Sequence, residues 1–477
     1  MGQRPQRKIE LDEAAETVIE RYGDLSGDKA AFTAALETPL PVCLWANSLR
    51  IKSKELEDKL IAEGFDPSPV AWNENAYRLP PGSRPGRSWL HKAGLLQIQE
   101  EAALLPVKLL APQRGECILD LCAAPGNKAA QIAIALENRG TVIANDSHVG
   151  RLAPFQAAIA RLGFLNVTTT TMDGAQFPLE AGPFDRVLAD VPCSGEGTIR
   201  KGPGKHTPVP DNFRDWLRGK QRALLRRAID LCKPGGRVVY STCTFAPEEN
   251  EEIIDAILSE RSDVELISPE PTLFGTSTGI SKWQGRCYSQ ELANTMRIWP
   301  HLSGTGGFFA AVMVKSGPSS KVLSDKTPEI DANARQVMEN FIKYFGLPSE
   351  TFDGLQTVRA GRRLKLVATD HRIPELEEVL ASGLTLTGDS AKVPKLSTEA
   401  AMAFGSQATR NVVDLDDDQR TSYLSHQTLT LSPDQCIACN DRGYVIVRSE
   451  GLALGVGMIQ KTADTTSLES LFPQNWP

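Results

Sequence analysis

The stretch Cys117-Ile-Leu-Asp-Leu-Cys-Ala-Ala-Pro-Gly-Asn-Lys128 passes from an apolar run into a turn of small residues and then into a helical segment, Lys128 to Leu136. Small side chains let the backbone approach a ligand, and the helix N-terminus behind them offers free N–H groups to a carboxylate. The turn is not Gly-x-Gly-x-x-Gly, which argues against a nicotinamide dinucleotide, and the phosphate-loop pattern Gly-x-x-x-x-Gly-Lys-Ser/Thr is absent. Working outward, Gly140–Asn145 reads as a strand, Val149–Leu162 as a helix and Val167–Met172 as a strand. Phe184–Asp190 is a further strand, followed by a long helix over 215–232 and the strand Gly236–Cys243. Strands alternating with helices predict a parallel sheet covered on both faces, an α/β core. Ligands of such sheets lie beyond the carboxyl ends of the strands.

The chemistry-bearing residues fall at those ends. Asp146 lies about 20 residues beyond Gly126, where an acid meets ribose hydroxyls in doubly wound folds. Asp173 follows the next strand. Asp190-Val-Pro-Cys-Ser-Gly-Glu-Gly197 and Ser241-Thr-Cys-Thr-Phe-Ala-Pro-Glu-Glu-Asn250 each set a cysteine just past a strand, among Pro, Ser, Thr and Gly. A structural thiol sits inside an apolar segment instead. Single acids at strand ends are commonly surface residues, and a single Pro-Cys or Thr-Cys says little. Together they point to thiol chemistry on an electrophilic carbon, and methylation of the 5-carbon of cytosine needs these parts. A thiolate adding to the 6-carbon makes the 5-carbon a nucleophile. A carboxyl near N3 stabilises the developing charge, and a second group helps remove the 5-proton.

Composition sets the frame. The chain has 477 residues, 41% hydrophobic and 23% charged, an ordinary globular composition with room for two to four domains. No apolar run approaches the roughly 20 residues of a membrane span, and no secretory signal follows the basic start, so no membrane partner and a cytoplasmic location are expected. The nine cysteines are scattered and odd in number, against a disulfide framework. Cys436 and Cys439 alone have metal-type spacing, and with no second ligand pair they read as buried thiols, so no metal is expected. Net charge is −7, which sits poorly with a nucleic-acid partner. The run 199–228, however, carries Arg200, Lys201, Lys205, Arg214, Arg218, Lys220, Arg222, Arg226 and Arg227 against Asp211 and Asp215. It reads either as a solvated helix face or as a phosphate contact.

The motifs resemble those of the Nop/Nol/Sun family of RNA cytosine methyltransferases, over about residues 36 to 315. Ala46-Asn-Ser-Leu-Arg50, Gly94-Leu-Leu-Gln-Ile-Gln-Glu100, Arg297-Ile-Trp-Pro-His301 and Gly306-Gly-Phe-Phe309 extend the likeness beyond the core. The tail, with Gly451-Leu-Ala-Leu-Gly-Val-Gly457 and Leu471-Phe-Pro-Gln-Asn-Trp476, resembles the barrel of bacterial 16S ribosomal RNA members. The resemblance implies S-adenosyl-L-methionine as cofactor and RNA as partner, ribosomal favoured over transfer RNA, with no obligate protein partner. It implies Cys243 as nucleophile, Cys193 as the thiol that aids release, and Asp190 on the cytosine. The cofactor would be held by Cys122, Ala123, Ala124, Pro125, Gly126, Lys128, Asp146, Arg151, Asp173 and Asp190. Asn127 and Ala129 depart from the family's Gly or Ser and Thr; Asn tolerates the positive φ that Gly would supply.

The implied architecture is a Rossmann-like methyltransferase core at 91–315. It follows an N-terminal unit at 1–90, helices and a small RRM-like α/β fold. After a linker at 316–330 come an α/β region at 331–395 and a PUA-like β-barrel at 396–477, both RNA-binding. A DNA cytosine methyltransferase would use Cys193 as nucleophile, and Ser241-Thr-Cys243 would then have no task. An inactive RNA-binding assembly factor is the alternative of another class, and the intact Asp190, Cys193 and Cys243 argue against it.

Overall fold

The central strands carry apolar side chains to both faces, because helices cover the sheet on both sides and successive residues point to opposite faces. Ile118, Val142, Val167, Leu188 and Val239 face one way, onto the helices Leu105–Leu110, Asn127–Ala135 and Val149–Leu162. Leu119, Ile143, Val187, Val238 and Tyr240 face the other, onto Asp211–Leu231 and Glu251–Glu260. The computed structural model that shows this describes residues 10–202, 209–268, 275–317, 332–388, 394–474 and 476. Beyond residue 317 the expected linker, like Lys205 of the basic run, lies outside the described residues.

Five parallel strands form the middle of the ten-stranded sheet, in the order Cys232–Thr242, Phe184–Asp190, Cys117–Asp120, Thr141–Asn145 and Val167–Thr170. Chain order runs outward in both directions from Cys117–Asp120, so the crevice opens at the carboxyl end of that strand. Phe308–Lys315 joins antiparallel to Cys232–Thr242. The opposite edge is covered by Val379–Ser382, antiparallel to Val167–Thr170. There the buried His371 ring meets Thr168 Oγ1 at 2.8 Å and Ser382 Oγ at 3.1 Å, and burial pushes it down to about 4, so it is neutral. A segment expected in a separate region is thus the tenth strand of the core sheet.

The N-terminal unit has two helices, Glu13–Tyr22 and Lys29–Leu36, before a four-stranded antiparallel sheet of order Ser68–Val70, Asn73–Leu79, Val42–Ala46, Leu96–Ile98. Leu96–Ile98 pairs with Val42–Ala46, so the unit runs past the boundary expected at residue 90. Buried Arg161, on a core helix, locks it down by donating to His91 O and Leu96 O at 2.6 and 3.2 Å. At the C-terminal end a three-stranded sheet precedes a five-stranded one of order Val412–Leu415, Arg442–Ser449, Leu452–Lys461, Thr466–Ser470, Leu429–Leu431. That last sheet packs on the N-terminal unit in one shared core. The Arg420 guanidinium lies 4.4 Å over the Trp89 ring, and Lys59 pairs with Glu450 at 2.6 Å. No helix among the described residues is long and apolar enough to cross a membrane.

Arg297 and Glu251, both buried, pair with Nε to Oε1 at 2.6 Å behind the crevice. Arg297→Met leaves the Glu251 carboxylate buried and uncompensated, and is expected to cost about 3 to 5 kcal/mol. Adding Glu251→Leu should recover a large part. Thermal unfolding of both variants checks this, and a double variant less stable than the single one would contradict it.

Candidate active site

Two adjacent parallel strands end level with each other, Asp190 opposite Ser241, and Val191 N–H continues the ladder to Ser241 O at 3.1 Å. The loops that follow therefore start side by side, which brings Cys193 Sγ to 3.4 Å from Cys243 Sγ. Ser194 and Thr244 hydroxyls join the loops at 2.7 Å. Gly197 N–H donates to Cys243 O, and Gly307 N–H to Gly197 O, each at 2.8 Å. A Cβ on Gly197 would stand 2.2 Å from Gly307 O, so this crossing requires glycine. The sulfurs have opposite protonation tendencies. The hydrogen bond from Cys193, aided by the charges of Lys128 and Lys201, holds Cys243 below the usual thiol range despite burial and Asp190. The same hydrogen bond, with burial and the charge of Glu249, pushes Cys193 up.

Asp190 is fixed from both sides. Lys128 Nζ donates to Oδ2 and Ser241 Oγ to Oδ1, each at 2.7 Å. Burial works to lower Lys128, but Asp190 more than offsets it and keeps the ammonium charged. Behind them burial and the charge of Asp190 push Asp120 up to about 8.

Two cavities meet here. One, about 240 Å³, has Gln99, Glu100, Lys128, Lys201 and Phe308 in its wall. The other, about 350 Å³, is lined by Asp146, Arg151, Asp173, Lys220 and Cys193. Cys122, Ala124, Asp190, Val191 and Cys243 line both and form the partition. The nucleophile candidate and its carboxylate therefore face two chambers at once.

The expected residues divide between these chambers. Asp146 closes the turn: Oδ2 accepts from Ala124 N–H at 3.2 Å and Oδ1 from His148 N–H at 3.1 Å, with Arg151 Nη1 at 3.5 Å. Asp173 accepts from Ala175 N–H at 2.9 Å and pairs with Lys220. Both carboxylates line the larger cavity. Ala123, Pro125 and Lys128, expected on the cofactor, line only the smaller one, and Gly126 lines neither. Gly126 itself carries the positive φ, 100°, and a Cβ there would fall 2.0 Å from the Phe155 ring. Asn127 is the first helical residue and needs no positive φ, contrary to the expectation. Its Oδ1 instead accepts from Gln97 Nε2 at 2.8 Å.

The basic run is largely consumed inside the protein. Arg200 is buried and donates to Gly304 O and Thr305 O at 2.7 and 2.6 Å. Arg214 pairs with Glu196 at 2.7 Å, Arg218 with Glu252, and Arg222 and Arg226 with Glu260. Acids outside the run neutralise it, so it is not the open phosphate face that the sequence invited. Sequence reasoning passed over Lys220, Lys201, Ser241, Gln221 and Glu249 as site residues. Ser241 and Glu249 stood within the quoted cysteine motif, and only their distances reveal their tasks.

Comparison with known proteins identifies the family. The profile described as 16S rRNA methyltransferase RsmB/F matches residues 107–314, and the N-terminal domain of 16S rRNA methyltransferase RsmF matches 15–101. The tRNA (cytosine(49)-C(5))-methyltransferase of Pyrococcus abyssi is 37% identical over 320 residues, 65% of this chain and 98% of that protein. Ribosomal RNA small subunit methyltransferase F of Shewanella piezotolerans is 29% identical over 89% of each chain. A crystal structure of a methyltransferase homolog from Pyrococcus horikoshii superposes with TM-score 0.56 at 31% identity, covering 63% of this chain and 94% of that one. Eukaryotic relatives named for 28S and 25S rRNA are longer, and the chain spans 36% to 49% of their length.

Lys128→Met removes the cation that favours the Cys243 thiolate and frees the charge of Asp190 to oppose it. The midpoint of Cys243 alkylation with pH should therefore move up. Iodoacetamide labelling read by peptide mass spectrometry checks this, and an unchanged or lower midpoint contradicts it.

Proposed function

The chain belongs to the family of RNA (cytosine-C5)-methyltransferases, and on that premise we propose that it methylates the 5-carbon of a cytosine in RNA through a covalent Cys243–cytosine bond, using S-adenosyl-L-methionine. The observation that carries the reading is the 3.4 Å approach of Cys243 to Cys193 at the partition of two cavities. The larger cavity fits the cofactor: the carboxylates of Asp146 and Asp173 suit ribose hydroxyls and an adenine amine, and Ala124 and Gly174 leave room for them. When bound, the cofactor supplies a methyl carbon electrophilic enough for an activated 5-carbon.

The protein's own groups do the rest. The Cys243 thiolate adds to the 6-carbon of cytosine, and the electrons of the 5,6 double bond move to the 5-carbon. Asp190, held by Lys128 and Ser241, faces N3 and the amino group, where charge changes. After methylation the 5-proton passes to a solvent base, its C–H electrons re-form the 5,6 double bond, and the C6–S bond breaks with its electrons returning to Cys243 as thiolate. Cys193 assists at this stage, its S–H stabilising the departing thiolate.

The RNA proposed is 16S ribosomal RNA. The likeness to the Shewanella small-subunit methyltransferase extends over 89% of both chains, whereas the transfer-RNA relative matches 65% of this one. Transfer RNA remains the second reading. Around the methyltransferase core we assign RNA-holding roles to the flanking units. The antiparallel strand order of the N-terminal sheet supports an RRM-like unit. The five-stranded C-terminal sheet supports a PUA-like barrel. Phe213 and Trp216, exposed and stacked with centroids 5.4 Å apart, suit contact with unpaired bases. A cytoplasmic site of action goes with a ribosomal substrate.

Cys243→Ala is expected to abolish both methyl transfer and attachment to RNA, while Cys193→Ala accumulates a covalent RNA adduct visible on a denaturing gel. The reverse pattern would exchange the roles. Bisulfite sequencing of total RNA from a deletion strain names the substrate, and loss of a mark from transfer RNA alone would move the assignment there.

Asp146→Ala should weaken cofactor binding by about 1 to 3 kcal/mol, the cost of stranding charged hydrogen-bond partners. RNA affinity without cofactor should hold. Titration calorimetry that finds both lost equally would make Asp146 a structural residue.

A further inference from the structure

We infer that Glu249 is the positioning residue that fixes Cys193 and keeps it protonated, so that Cys243 alone carries the thiolate. The inference rests on the roles proposed above for the two thiols. Glu249 is 1% exposed, in the turn that follows Cys243. Its Oε2 accepts from Ser194 N–H at 3.0 Å and from Gln221 Nε2 at 2.8 Å, and Gln221 Nε2 also reaches Pro192 O at 2.9 Å. Carboxylate and amide thus grip the peptide groups on both sides of Cys193. Burial pushes the Glu249 carboxyl up, and the two donors on one oxygen, Ser194 N–H and Gln221 Nε2, work the other way and favour the ionised form. The nearest cation, Arg214, stands 4.0 Å from Oε1 and has its closer partner in Glu196 at 2.7 Å. The negative charge is therefore left partly uncompensated, one peptide group from Cys193.

The surroundings of the two sulfurs are unequal for that reason. Cys243 faces Lys128 from the helix after the turn and Lys201 from the segment Glu196–Lys201, with Asp190 opposing. Cys193 faces Glu249 and the Cys243 sulfur, both of which disfavour a second negative charge. A thiolate pair at 3.4 Å holds a single charge, and the placement of Glu249 decides which sulfur has it. The S–H of Cys193 then points its proton at Cys243, where it stabilises the thiolate at rest and meets it again on release. A loop anchor without electrostatic effect is the competing explanation, and the amide isostere separates the two. Glutamine can still accept from Ser194 N–H and lacks the charge.

The experiment labels the full-length protein with iodoacetamide near neutral pH and quantifies each cysteine by mass spectrometry. Both sulfurs line the larger cavity, so reagent access is shared, and Cys232, 1% exposed, reports unfolding. In the unmodified protein Cys243 should react far ahead of Cys193. Glu249→Gln should raise the Cys193 to Cys243 labelling ratio on the order of tenfold, the equivalent of one pKa unit, with Cys232 still protected. Glu249→Asp keeps the charge and should keep the original ratio. A Gln variant with an unchanged ratio overturns the inference, as does a ratio that shifts alike in the Gln and Asp variants. A Gln variant that exposes Cys232 makes Glu249 a folding residue and overturns it too. Neither RNA nor cofactor enters the measurement, so its outcome is independent of the adduct gel that tests the catalytic roles.

Discussion

The registry of one strand pair governs the chemistry. Asp190 lies opposite Ser241, and both cysteines sit within three residues of that pair. Because side chains alternate along a strand, a slip of one residue would turn the Ser241 hydroxyl away from Asp190 and part the sulfurs. The neighbour on the far side pins the ladder: Phe309 pairs with Thr242 and Val314 with Arg237, so Cys232–Thr242 is fixed along most of its length. The Gly197 to Gly307 crossing then clamps the loop after Cys193 onto the end of that same neighbour. The placement of the two thiols beside each other is therefore a property of the sheet, and the loops inherit it.

Local pattern made much of this legible. The alternating faces of Cys117–Asp120 and its neighbours, the small-residue turn, and the polar settings of Cys193 and Cys243 each carry their message within about ten residues. What stayed hidden depends on partners distant in sequence. Nothing near Val379–Ser382 says that it adds to the edge strand Val167–Thr170, and nothing near Leu96–Ile98 says that it pairs with Val42–Ala46. Lys220 looked like one more cation of a basic run, yet Asp173 is its partner. Asn127 follows the turn in sequence, whereas Gly126 bears the positive φ and Asn127 meets Gln97 across a unit boundary. Their places after successive strands marked Asp146, Asp173 and Asp190, but only the fold shows that the first two line one chamber while Asp190 stands in the partition.

The charge balance takes a different meaning once partners are known. The cations of the long helix are spent on Glu196, Glu252 and Glu260, so the basic run holds helices together and offers little free charge to a polyanion. The partly exposed pairs with Glu252 and Glu260 stabilise by a fraction of a kcal/mol each, while Arg214–Glu196 is largely buried. Their consequence here is geometric, because Arg214 ties the start of that helix to the segment bearing Lys201. In the function proposed above, stacking on Phe213 and Trp216 and the cavity cations Lys128 and Lys201 take the part that the spent run leaves open.

The N-terminal unit then stops being an accessory. Leu40, Gln99 and Glu100 form part of the wall of the smaller cavity, opposite Lys128. Gln99 is held by Trp45 Nε1 at 2.9 Å and by Gln131 Nε2 at 2.6 Å, one contact from its own sheet and one from the core. Glu100 Oε1 takes the Gly306 N–H at 3.0 Å, beside the glycine that clamps the Cys193 loop. Any shift of this unit against the core would move the cavity wall and the loop clamp together. A chamber built across two units in this way can change shape through the outer unit while Asp190, Cys193 and Cys243 stay where the sheet puts them.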